Sequence, residues 1–227
     1  MKEKNYGIFN INFFDNIIKN KRSEMLNILS KNINNKNLMS FLDIGTTEDN
    51  ELESSNFFLK KFKQISIKKS ISDQNINNKN FNNVLKKSIT STFIDHEVDI
   101  YKSDLVISSA TIEHVGNYEN QFKMLENIMQ LTSKYFFITT PNRFFPIDFH
   151  TKLPLLHMLP KKIHRKILML IGLKEYAKEE NLNLLDEKTL KKLINNQKNK
   201  NFKIKIFKVK LFGFTSNLLL FGEKINS

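Results

Sequence analysis

Glu113 and His114 stand side by side just after the apolar run Asp104-Leu105-Val106-Ile107-Ser108-Ser109, and Gly116 follows them. An imidazole with a reference pKa of about 6.5 accepts a proton at neutral pH. A neighbouring carboxylate can orient the ring, and such a pair serves as a general base for an attacking hydroxyl or amine. The competing role is structural: His114 packs beneath a ligand and Glu113 caps the next helix. The residues alone leave both open. Asp43 and Gly45 close a second apolar run, Leu38–Ile44, where glycine allows positive φ and lets a ligand approach the backbone. Asn142 and Arg143 follow a third run, Tyr135–Thr140, stopped by Pro141. Arg143 suits an anionic group; its competing role is to pin the segment that follows. His150 and His157 come next, with Pro154 between them. They lack helical metal-ligand spacing, so no metal is expected.

Three buried strands whose polar residues all fall at their C-terminal ends describe an open α/β sheet with a ligand crevice along that edge. The remaining elements must hold that edge in place. Phe14–Ile33 has apolar residues at helical spacing, and Tyr118–Lys134 places Phe122, Leu125, Ile128, Met129 and Leu131 on one face. Gln64–Ile71 is expected to form a strand, Asp73–Asn83 a loop and Val84–Thr90 a weak strand. Strands alternating with helices argue for a parallel, doubly wound sheet. The stretch 146–180, broken by Pro146, Pro154 and Pro160, interrupts that rhythm and reads as a lid-like insertion over the crevice. After it, Asp186 is a plausible N-cap for a helix reaching Asn195. Phe202–Leu211 and Asn217–Phe221, turned by Gly213, lie too close for a helical crossover and must form an antiparallel hairpin. The expected organisation is a helical segment over 1–37 and one domain over 38–227.

The chain has 227 residues, 40% of them hydrophobic and 20 of them Phe, enough for one packed domain. It has no Cys, which excludes disulfides, thiolate-bound metals and thiol catalysis. Met1–Asn5 leads into no long apolar stretch, so no secretory leader is expected, and no window approaches the roughly 20 apolar residues of a membrane span. A cytoplasmic location is expected. Net charge is +13, from 36 basic and 23 acidic residues. The lysines are spread along the chain and arginine occurs only at 22, 143 and 165, so the excess reads as composition, and a nucleic-acid partner is not expected. In Leu153–Leu173, Lys161, Lys162, Arg165 and Lys166 border an apolar run. That segment reads first as a lid, and second as a peripheral contact with an anionic membrane face.

With these motifs in order, the chain resembles the class I S-adenosylmethionine-dependent methyltransferases. The likeness rests on Phe41-Leu42-Asp43-Ile44-Gly45-Thr46-Thr47, on Asp104 to Gly116 with its Glu-His-Val core, and on Phe137-Ile138-Thr139-Thr140-Pro141-Asn142-Arg143. The segments Phe149–His157 and Glu180–Leu185 add to it. It spans about Leu38 to Gly222. It implies a Rossmann-like α/β fold, a seven-stranded sheet with the last strand antiparallel and helices on both faces, and S-adenosylmethionine bound at the C-terminal edge. It also implies a small-molecule, lipid-precursor or saccharide acceptor. By resemblance, Asp43 and Gly45 hold the methionyl end, and Asp73 is the candidate for the ribose hydroxyls. Thr90 stands where an acid usually meets the adenine. Ser109 and Ala110 let the cofactor approach, Glu113 and His114 act in catalysis, and Asn142, Arg143 and His150 meet the acceptor. Thr46, Thr47, Glu48 and Asp49 follow Gly45 where such loops often carry more glycines. Acids there argue against a pyrophosphate ligand. A glycine-poor loop also suits a methyltransferase fold retained as a non-catalytic binding or scaffold module.

Overall fold

The computed structural model describes residues 11–33, 38–48, 54–198 and 200–225, with side chains from 15 onward. Asp49, one of the loop acids named above, lies outside the described residues. The elements run α1 (Ile11–Asn32), β1 (Ser40–Ile44), α2 (Phe57–Lys61), β2 (Ile67–Ser72), β3 (Asn83–Lys86), α3 (Asp95–Tyr101), β4 (Ser103–Ser109), α4 (Tyr118–Gln130), β5 (Thr132–Pro141), α5 (Lys161–Leu170), α6 (Lys174–Ala177), α7 (Glu187–Asn195), β6 (Phe202–Leu211) and β7 (Phe214–Lys224). The strands form one seven-stranded sheet in the order β3-β2-β1-β4-β5-β7-β6. β1 to β5 pair in parallel, and β7 runs antiparallel to both β5 and β6.

The central strands are apolar on both faces because helices cover both. Side chains alternate across a strand, so Phe41 and Leu42, Leu105 and Val106, and Phe137 and Phe136 point to opposite sides. Leu42, Val106, Phe136, Leu218 and Leu220 join Met124, Leu125 and Ile128 of α4 and Leu190 and Leu193 of α7. Phe41, Leu105, Ile107, Phe137 and Leu219 join Met25 and Leu29 of α1 and Phe57 and Phe58 of α2. The N-terminal helix thus belongs to the same core as the sheet.

Of three local departures from the sequence expectation, two have visible causes. α4 stops at Gln130, and β5 starts at Thr132, whose hydroxyl donates to the Ile128 carbonyl at 2.6 Å and competes with the continuing helix. α3, invisible in the periodicity, is held by the Glu97 carboxylate. That group accepts from the Ile94 N–H at 3.0 Å and pairs with Lys87 at 2.5 Å. β3 is a short edge strand of only Asn83–Lys86. The N-cap expectation at Asp186 holds: its carboxylate accepts from the Thr189 N–H at 2.7 Å. Gly222 of β7 lies against the Phe136 ring, and an added Cβ would come within 2.0 Å of it. Gly222→Ala is therefore expected to cost about 1–3 kcal/mol by overpacking, read as a lower urea midpoint at constant m-value.

Candidate active site

The sheet order reverses between β1 and β4, and a crevice of about 400 Å³ opens at their C-terminal ends. That position and size suit a small-molecule site in an open α/β sheet. Asp43, Gly45, Ser109, Ala110, His114 and His150 all line it. Glu113 sits immediately behind, fully buried.

Asp43 is buried, and Thr46 Oγ1 donates to its Oδ2 at 2.6 Å while accepting from Ser70 Oγ at 2.8 Å. Burial pushes the carboxyl up to about 6; the Thr46 hydrogen bond and the Arg22 charge pull the other way. Gly45 has φ +83°, and a Cβ there would meet Thr111 Oγ1 at 2.2 Å. The glycine is required both by its left-handed backbone and by the close crossing of the two loops. Ala110 also has positive φ, 54°, which turns the chain sharply between β4 and the Glu113 turn.

That turn is clamped from a distance. The Asn183 N–H donates to the Glu113 carbonyl at 2.7 Å, and Asn183 Nδ2 donates to the Gly116 carbonyl at 2.7 Å. The Glu180–Leu185 motif seen in the sequence is thus a brace for the Glu-His pair. Glu113 does not orient His114. Its Oε2 accepts from Thr140 Oγ1 at 3.0 Å, and its Oε1 has no hydrogen-bond partner. His114 is oriented instead by the Asn181 carbonyl, 2.7 Å from Nδ1. Its Nε2 faces His150 Nε2 at 3.1 Å. His150 Nδ1 lies 3.2 Å from Asp148 Oδ1. Burial lowers the His150 pKa, but the Asp148 hydrogen bond and charge outweigh it and the net shift is upward. Asp148 moves the opposite way: the same contacts overcome burial and hold it well below the usual carboxylate range.

Other expected site residues lie elsewhere. Asp73 is exposed, one residue beyond β2, and neither it nor Thr90 lines the crevice. Arg143 faces away, donating through Nε and NH2 to the His157 and Leu159 carbonyls at 3.2 and 2.7 Å. It pins the insertion to the sheet. Asn142 Nδ2 donates to the Thr215 carbonyl at 2.9 Å and ties β5 to β7. Of the insertion, Phe149, His150 and Lys152 line the crevice, whereas α5 does not.

The sequence did not reveal that α1 supplies one wall. Ile17, Ile18, Lys21, Arg22 and Met25 all line the crevice. The Arg22 guanidinium donates to the Ser54 carbonyl. Burial lowers its pKa, opposed by the charges of Asp15, Asp43 and Glu113. The signal was present only as an arginine on an otherwise amphipathic helix.

No family model matches the chain, and no curated protein matches it. Solved structures do. The chain superimposes on an S-adenosylmethionine-dependent methyltransferase from Clostridium acetobutylicum with TM-score 0.56 at 10% identity, covering 92% of each chain. The N-methyltransferase NodS from Bradyrhizobium japonicum gives 0.54 at 8% identity, covering 93% of this chain and 99% of that one. Magnesium protoporphyrin IX methyltransferase from Synechocystis, crystallised with S-adenosylmethionine, gives 0.51 at 11%, covering 96% and 87%. The fold is that of the class I S-adenosylmethionine-dependent methyltransferases, with the seven-stranded sheet and its antiparallel last strand as expected.

Proposed function

We propose that this protein is an S-adenosylmethionine-dependent methyltransferase acting on a small-molecule, lipid-precursor or saccharide acceptor. The observation that carries the reading is the convergence of Asp43, Gly45, Ser109 and Ala110 on one crevice at the sheet's switch point, with His114 and His150 on its rim. When bound, S-adenosylmethionine would supply the methyl group from its sulfonium. Asp43 would receive the methionyl ammonium, with Thr46 and Ser70 fixing the carboxylate. Gly45 and Ala110 would let the ligand lie against backbone. His114, His150 and the buried Glu113 behind them would act on the acceptor, easing loss of its proton as attack begins.

Calorimetry with S-adenosylmethionine and S-adenosylhomocysteine tests this. Micromolar binding that depends on Asp43, followed by slow turnover to S-adenosylhomocysteine, is expected. Folded protein that binds neither would sink the reading. The position of Asp73 and Thr90 outside the crevice favours the second reading, a binding module without catalysis. Tight cofactor binding with methyl transfer would exclude it.

Among the described residues no helix is long and apolar enough to cross a membrane. Ile163, Met169, Leu170 and Ile171 of α5 and its end are exposed, interleaved with Lys162 and Lys166. This pattern supports a lipid-linked acceptor met at an anionic surface. Sedimentation with anionic vesicles at low salt is expected to carry the protein down, and a soluble protein under those conditions would remove the idea.

A further inference from the structure

The two histidines on the crevice rim have their tautomers fixed. A carbonyl oxygen only accepts, so His114 Nδ1 must carry the proton it gives to Asn181. The Asp148 carboxylate likewise takes the Nδ1 proton of His150. In the neutral rings both Nε2 atoms are therefore bare lone pairs, and they face each other at 3.1 Å. Glu113 Oε1, fully buried and without a hydrogen-bond partner, lies 3.9 Å from His150 Nε2. Three electron-rich atoms thus converge, all within 4.8 Å of one another. Such a cluster needs a positive centre between its members.

We infer that Glu113 Oε1, His114 Nε2 and His150 Nε2 are the ligands of one divalent first-row transition cation, of the Zn²⁺ or Mn²⁺ kind. Two imidazoles and a carboxylate are a donor set for such ions. Bond lengths of about 2.0–2.2 Å ask for donor separations of roughly 3.3 Å, and small side-chain rotations supply them from the present spacing. The surroundings match as well. Each ring's outer N–H is held by a carbonyl or a carboxylate, and the ligating carboxylate is held by Thr140, as outer partners of metal sites are. With three protein donors, at least one coordination position would be left for a ligand from the crevice, which His114 and His150 line. His150 reaches this place only through the insertion, whereas its sequence neighbour in the motif, His157, is buried elsewhere with Nε2 against the Phe145 carbonyl at 2.7 Å.

The cation's role beside the acceptor rests on the methyltransferase reading above; its binding does not. An acceptor hydroxyl on the open position would lose its proton to solvent more readily. The methyl carbon would then form its bond to that oxygen as the carbon–sulfur bond breaks and the electron pair stays on sulfur.

The test is calorimetric titration of chelator-stripped protein with ZnCl₂ and MnCl₂ alone. One equivalent at micromolar affinity or tighter is expected. His114→Ala, at an exposed position, and the isosteric Glu113→Gln should each weaken it by more than the roughly 10–100-fold typical of an outer partner, the loss expected for Asp148→Asn. Circular dichroism checks that each variant is folded. Cation binding absent from the wild type, or undiminished in both His114→Ala and Glu113→Gln, overturns the inference and leaves a proton as the shared charge. S-adenosylhomocysteine binding by the same wild-type protein separates the two readings: it can persist when the cation inference fails, and be absent when the cation binds.

Discussion

Asp43→Asn is expected to weaken S-adenosylhomocysteine binding by about 10–100-fold at pH 7.5, while making the ligand-free protein more stable. The two effects share one cause. A hydrogen bond to a charged group contributes about 1.5–3 kcal/mol, and the asparagine keeps the shape but not the charge that would face the ligand's ammonium. In the free protein that charge is a burden. Burial lifts the Asp43 pKa to about 6 from 3.8, so holding it ionised above pH 6 costs up to about 3 kcal/mol. The folded pKa is the higher one, so the folded state binds the proton more tightly. The stability it contributes is full below about pH 4 and is lost as pH rises through 6. Urea unfolding of wild type should show this trend, and Asp43→Asn should flatten it. Cofactor affinity should run the other way, falling about tenfold at pH 5. Equal stability slopes in the two proteins would mean that Asp43 does not titrate in that range.

The second large effect concerns the packing behind Phe58, a residue of the crevice wall. Phe137→Ala is expected to cost about 3–5 kcal/mol, a large share of the roughly 5–15 kcal/mol typical of a whole domain. Phe137 is fully buried on β5, between β4 and β7. Its ring meets Phe58 edge-on with centroids 5.9 Å apart, and Phe58 lines the crevice. No neighbouring element can move in without breaking the sheet, so the cavity remains. Phe214→Ala, at a ring 57% exposed, should change stability by no more than about 0.5 kcal/mol. Denaturant midpoints of the two variants decide the matter, and similar midpoints would contradict the packing described here.

The sheet was legible because its central strands are buried on both faces. Such strands read as continuous apolar runs, and their polar ends mark the crevice edge without further information. Asp43, Gly45, Ser109 and Ala110 follow directly from that. The terminal hairpin was legible from the short connection around Gly213, which leaves no room for a helical crossover. Asp73 and Thr90 needed the register of short outer strands, where a single residue moves a side chain to the opposite face; β2 ends at Ser72, and Asp73 falls outside. The partnership of His114 with His150 joins positions 36 residues apart across a proline-broken segment, which no periodicity describes. Arg22 illustrates a further limit. An amphipathic pattern shows which face of α1 is buried, but not that its partly polar edge borders a ligand crevice. α3 was missed because two turns with three apolar residues carry too little pattern to register.

The strand order has a consequence for how the chain acquires its shape. β7 is the last strand in sequence, yet it lies inside the sheet, between β5 and β6. While the protein is being synthesised, the earlier strands can assemble, but the long edge of β5 must wait with its hydrogen-bonding groups and apolar flanks open. That edge is a template for any passing strand, and the pairing that closes it joins distant parts of the chain, which is slow. Vulnerability to misassembly should therefore concentrate in the interval before β7 arrives. Proteolysis of stalled nascent chains would place the protected state only after Lys224 has left the exit tunnel.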